Sequence, residues 1–127
     1  MAPRLHHLTL CVTNVTASAT WYQQLLGDAS IVERTIPRGR RIRMSWSEGL
    51  IIAVTQFDDG DAGVFSHLHV GLDHVGLACD SPDEVGEWAR KITELGFERG
   101  PVEEAHYGWA VTARDPDNIP VEFYFPL

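Results

Sequence analysis

Residues 4–27, RLHHLTLCVTNVTASATWYQQLLG, are answered by residues 71–96, GLDHVGLACDSPDEVGEWARKITELG. Laid over each other without a gap, they bring Leu5 onto Leu72, His7 onto His74, Leu10 onto Leu77 and Trp21 onto Trp88. Each copy begins with the two-residue alternation of a strand and then changes to helical spacing. The helical positions are Ala17, Trp21 and Leu25 in the first copy, and Val85, Trp88, Ile92 and Leu95 in the second. Gly27 closes the first helix. Ser81 is placed to cap the second, with Asp83 and Glu84 in its first turn, where the helix dipole favours negative charge.

The remainder of each copy reads as strands. Segments 30–34, 40–46 and 50–57 are divided by the turns Pro37-Arg38-Gly39 and Ser47-Glu48-Gly49. The second copy offers a short strand near 97–98, a strand over 107–114, the turn Asp115-Pro116-Asp117-Asn118 and a last strand over 119–125. Once a two-residue insertion is allowed, Thr112 lies on Arg43 and Glu122 on Ala53. The expected fold is therefore α+β. Two tandem β-α-β-β-β modules, 4–57 and 71–127, are joined by a linker, 58–70, within one domain of residues 1–127. Together they are expected to form a cupped mixed sheet with the helices on its outer face.

Composition bounds the function. A chain of 127 residues with 44% hydrophobic and 22% charged residues can bury a core without disulfides. Cys11 and Cys79 each sit in an apolar strand-like run and read as reduced, buried thiols. No apolar run approaches the roughly 20 residues of a membrane span, and the N-terminus has no signal-peptide stretch, so a cytoplasmic protein is expected. A formal charge of −8 argues against nucleic acid as a partner. The local exception is Arg38, Arg40, Arg41 and Arg43.

Strand parity sorts the polar residues. His7, Thr9 and Cys11 share one face of the first strand, while Leu8, Leu10 and Val12 share the face that belongs against the helix. His74 has the same standing in the second copy, and in the last strand Glu122 and Tyr124 oppose Val121 and Phe123. Two imidazoles and one carboxylate on non-helix faces suit a divalent ion that keeps open positions for water or substrate. Arg41 and Arg43 fall on the same face, where Arg43 could hold a carboxylate or phosphate, and Arg114 shares the parity of Thr112. His67 and His69 read as surface residues of the linker. Trp21, Trp88 and Trp109 read as core.

The two copies and the closing stretch RDPDNIPVEFYFP, residues 114–126, resemble the vicinal oxygen chelate superfamily, the group of glyoxalases, bleomycin-resistance proteins and extradiol dioxygenases. The resemblance spans essentially the whole chain. It implies one divalent metal ion per site (Fe2+, Mn2+, Zn2+ or Ni2+) held by His7, His74 and Glu122. It also implies a homodimer and a small-molecule substrate chelated through vicinal oxygens, with dioxygenase-like or lyase/isomerase-like chemistry. Thr9, Arg43, Thr112, Arg114 and Tyr124 are the candidate substrate-binding residues, and Glu122 and His106 the candidate catalytic groups.

Departures from the family pattern sharpen these expectations. Glyoxalase I-like members place a glutamate ligand and base where Ala53 stands, and Gln56 has the opposite parity to Ala53. The extradiol dioxygenases use a tyrosine where Thr112 stands, and His106 is one residue short of their upstream histidine. The fosfomycin-resistance transferases share the ligand set and a threonine like Thr9, but their late lysine and arginine cluster has no counterpart. The alternative to an enzyme is a bleomycin-resistance-like drug-binding protein. Such a protein would line its cup with aromatic rings rather than His, Glu and Arg.

Overall fold

The computed structural model describes residues 1–61 and 63–127, which divide into two units, Met1–Gly63 and Val64–Leu127. The first unit runs β1 (Leu8–Cys11), α1 (Val15–Leu26), β2 (Ser30–Ile36), β3 (Gly39–Ser45), a 3-10 turn (Ser47–Gly49) and β4 (Ile51–Phe57). Its sheet has the order β1-β4-β3-β2, with β1 parallel to β4 and the other pairs antiparallel. The second unit runs β5 (Val75–Ala78), α2 (Pro82–Glu94), β6 (Glu103–Ala105), β7 (Gly108–Arg114) and β8 (Pro120–Pro126). Its order, β5-β8-β7-β6, is the same pattern again, parallel pair included. The expected repeat of β-α-β-β-β modules is thus present as two four-stranded mixed sheets, each with its own helix.

The registers make the repeat quantitative. Ala53 stands between Thr9 and Arg43, and Glu122 stands between Gly76 and Thr112. One further pair of equivalent residues was not singled out in the sequence. Gly39 and Gly108 open β3 and β7, and a Cβ on either would lie 2.4 Å from Gln56 O or 2.3 Å from Phe125 O. Only glycine lets the neighbouring strand come that close.

Each helix covers one face of its own sheet. Asn14 caps α1 by accepting the Ala17 N–H at 3.0 Å, and Ser81 caps α2 by accepting the Glu84 N–H at 3.1 Å. Val15, Tyr22 and Leu25 from α1 are fully buried with Met44 and Val54 from the sheet, and Val85 and Ile92 from α2 with Val111, Val121 and Phe123. Ala17, expected on the buried face, is exposed, because the inward stripe follows Val15, Ser18, Trp21, Tyr22 and Leu25. Trp88 is only half-buried, with its ring stacked on Phe123 at 4.2 Å and Lys91 Nζ 5.2 Å from the ring centroid. Its outer face is capped by a cation rather than by more core.

Two expectations need correction. Cys11 is exposed, since it lies on the open face of the edge strand β1 with Thr9. Cys79 is buried as expected, and desolvation, aided by Glu84 and Asp80, pushes its thiol up to about 11. The short strand expected near 97–98 lies instead at Glu103–Ala105. The chain does meet β7 early, through the Arg99–Ala113 bridge and the Gly100 N–H to Thr112 O bond at 3.0 Å. Pro101 then has no N–H to continue the ladder, and pairing resumes one residue out of step.

Candidate functional site

In the second unit the face away from α2 carries alternate residues of β7 and β8, Ala110, Thr112 and Arg114 beside Pro120 and Glu122. With the segment before β5 they enclose a cavity of about 630 Å³ that includes Asp73, His74, Thr112, Arg114 and Glu122 in its walls. His74 Nδ1 lies 2.7 Å from Asp73 Oδ1, and His74 Nε2 lies 3.6 Å from Glu122 Oε1. The second distance is too long for a hydrogen bond. Asp73 Oδ1 can only accept from the imidazole, through Nδ1–H, and such a carboxylate contact orients a metal-binding imidazole.

These residues fit a divalent ion. Bonds of about 2.1 Å in a tetrahedron separate neighbouring ligand atoms by roughly 3.4 Å, close to the spacing found between Nε2 and Oε1. The side chains of His74 and Glu122 keep 45% and 24% of their surface exposed, so water or a small molecule can reach both. Among the described residues no group of three or more His, Cys, Asp or Glu side chains is assembled as a metal centre. The second unit contributes the pair.

Thr112 is the register partner of Glu122, and Arg114 donates from Nη1 to Asn118 O at 3.4 Å, which tethers its guanidinium to the β7–β8 turn. Two other expected residues are not brought to this cavity. The Tyr124 hydroxyl donates to Tyr107 O at 3.0 Å, and its ring stacks on Tyr107 at 6.3 Å. His106 sits in the exposed turn between β6 and β7, edge-on to Tyr107 at 5.4 Å, outside the cavity walls.

The sequence reading missed Asp73, His67 and the Glu98–Arg99 pair, all in the cavity walls. Asp73 could have been found, because an acid directly before a candidate ligand histidine is a possible orienting group. His67 was assigned to the linker. The Phe65 N–H donates to Asp117 O at 3.0 Å, which ties its neighbourhood to the β7–β8 turn.

The first unit repeats the geometry with different chemistry. His7, Thr9, Arg34, Arg41, Arg43 and Ala53 border a cavity of about 160 Å³ on the face away from α1. His7 is exposed, with Nδ1 2.9 Å from His6 Nδ1 and the two rings edge-on at 5.1 Å. Ala53 occupies the position of Glu122 and offers no donor. Gln56 is engaged elsewhere, since its Oε1 accepts the Val15 N–H at 3.1 Å, at the start of α1.

No helix is long and apolar enough to cross a membrane among the described residues. Comparison with known proteins adds the following. The Bacillus subtilis (strain 168) protein YqjT is 24% identical over 135 residues, covering 96% of this chain and 98% of that one. A glyoxylase/bleomycin resistance protein/dioxygenase domain from Frankia sp. EAN1pec superposes with a TM-score of 0.91 at 24% identity, covering 100% of this chain and 94% of that chain. The fosfomycin resistance protein FosX from Listeria monocytogenes, complexed with Mn(II) and sulfate ion, superposes with a TM-score of 0.72 at 22% identity, covering 100% and 95%. At these identities the structural likenesses establish the fold. Residues 4–123 match the family as a whole, and the chain belongs to the Glyoxalase/Bleomycin resistance protein/Dioxygenase superfamily.

Proposed function

We propose that this chain is a divalent-metal-dependent enzyme acting on a small oxygenated substrate that binds through vicinal oxygens. The observation that carries this reading is the pairing of His74 Nε2 with Glu122 Oε1, with Asp73 on the far nitrogen of the imidazole. His74 and Glu122 supply two ligands, and His7, equivalent to His74 in the repeat, is the third candidate ligand from the sequence pattern. A divalent ion held there would act as a Lewis acid toward substrate oxygens or, as iron, give access to dioxygen. The Mn(II) carried by FosX makes manganese the first ion to test.

The chain's own residues then divide the work. Thr112 and Arg114 border the His74–Glu122 cavity and orient substrate oxygens, and Thr9 and Arg43 are the candidate binding residues of the first unit's own cavity. With Ala53 in place of a second carboxylate and His106 outside the walls of the His74–Glu122 cavity, Glu122 is the candidate proton acceptor. The reading includes a cytoplasmic homodimer with no nucleic-acid or membrane partner. A drug-binding role is less well supported, since no Trp, Phe or Tyr is among the walls of the larger cavity.

Titration of metal-stripped protein with Mn2+ tests the reading. One saturable site is expected, weakened at least roughly tenfold in His7→Ala, His74→Ala and Glu122→Ala, with circular dichroism unchanged. Unchanged Mn2+ affinity in all three variants would contradict it.

A further inference from the structure

The β2–β3 hairpin carries its basic residues on two faces, and the faces are treated differently. Arg40 pairs with Glu33, and Arg38 Nη2 lies 3.7 Å from Asp59 Oδ2. On the other face Arg34, Arg41 and Arg43 have no carboxylate partner among the described residues, in a protein with 18 acidic side chains. Arg34 and Arg41 are direct register partners on adjacent antiparallel strands, and Arg43 follows two residues later on the same face. Like charges directly opposite each other destabilise a sheet. This face therefore bears a repulsion that no ion pair among the described residues relieves.

The cluster is not a by-product of the repeat. The registers place Glu103, Ala110 and Thr112 at the positions equivalent to Arg34, Arg41 and Arg43, so the second unit has no base at any of them. Arg34 and Arg43 are exposed, and Arg41, half-buried between them, is anchored. Arg41 Nε donates to the buried Thr55 Oγ1 at 2.8 Å, which fixes the plane of the group and leaves its two Nη atoms uncommitted. All three arginines, with the Thr9 hydroxyl, border the cavity of about 160 Å³, whose walls contain no acid.

We propose that this face of the first unit is an oxyanion site, binding a multiply charged group of the phosphate class through Arg34, Arg41 and Arg43. Planar guanidiniums match the oxygen spacing of a phosphoryl group in bidentate fashion, and a dianion relieves more of the mutual repulsion than a single carboxylate does. That the anion belongs to the enzyme's substrate rests on the reading above. The binding itself does not, because no metal ligand other than the neighbouring His7 borders this cavity.

The test uses the full chain, stripped of metal with chelator, dialysed, and titrated with inorganic phosphate at constant ionic strength. The readouts are calorimetry and the arginine Nε–Hε resonances. Saturable binding is expected, with acetate at least tenfold weaker. Arg41→Gln and Arg43→Gln should each weaken phosphate roughly tenfold or more, while Arg38→Gln and Arg40→Gln stay within about twofold. The Arg34→Gln/Arg43→Gln double variant should melt no lower than wild type without phosphate and lose the phosphate-induced rise in Tm. Lack of saturation, equal response to acetate, or equal loss in the Arg38 and Arg40 variants would overturn the proposal. Failure here with Mn2+ binding intact would leave the metal reading standing, and the converse result would leave the oxyanion site standing.

Discussion

Replacing Asp115 with alanine should markedly destabilise the β7–β8 turn. Asp115 is 5% exposed, and its Oδ1 accepts the N–H groups of both Asp117, at 2.9 Å, and Ile119, at 2.8 Å. Both donors belong to buried residues, and the turn closes through Asn118 N–H to Asp115 O at 2.9 Å, with Asn118 at φ +67°. Hydrogen bonds to a charged acceptor contribute about 1.5–3 kcal/mol each, and buried donors left unpaired add a desolvation cost. Because both bonds converge on one oxygen they do not add fully, and the expected loss for Asp115→Ala is about 3 kcal/mol. Asp115→Asn keeps an acceptor oxygen in place and should lose about 1 kcal/mol. Urea unfolding followed by tryptophan fluorescence measures both, and the alanine variant's midpoint should fall by roughly 1–2 M. An Asp115→Ala protein within about 0.5 kcal/mol of wild type would refute the idea that this carboxylate organises the β7–β8 turn.

Other consequences are equally open to measurement. Asp73→Ala should weaken Mn2+ binding roughly 10- to 100-fold while leaving the melting temperature unchanged, as expected of a group that orients a ligand; competition against a chromogenic chelator would show it. Cys11 should react with a thiol reagent under native conditions, and Cys79 only on unfolding, so Cys11→Ser should abolish native labelling. Burial raises the Cys79 thiol from 9.0 to about 11, so the folded state holds its proton more tightly than the unfolded chain does. Its contribution to stability is complete below about pH 9 and is lost as pH rises toward 11. Cys79→Ala should flatten that part of the stability profile.

Most of the architecture was legible because the chain states it twice. The match of His7 with His74 and Trp21 with Trp88 foretold two similar modules, and the parity of Leu8, Leu10 and Val12 foretold which face of β1 packs inward. The same parity should have marked Cys11 as exposed, but its apolar neighbours outweighed it. The displaced β6 was not legible, since the competing candidate at Phe97 has good strand character and the interruption comes from the missing N–H of Pro101. At the candidate site, alternation along β7 and β8 was enough to bring Thr112, Arg114 and Glu122 onto one face. Parity says nothing of position along a strand, which is why Tyr124 lies outside the cavity walls, beside Tyr107 at the far end, while His106 sits in the turn before β7. Arg34 was overlooked because strand pairing, not sequence distance, sets it opposite Arg41.

The most direct check on the central claim is the metal content of untagged protein purified anaerobically without chelator. Near-stoichiometric Mn, Fe, Zn or Ni per chain, lost in a folded Glu122→Ala variant, is the result expected from the His74–Glu122 arrangement. A protein that emerges without metal and takes up none of these ions on titration would contradict it.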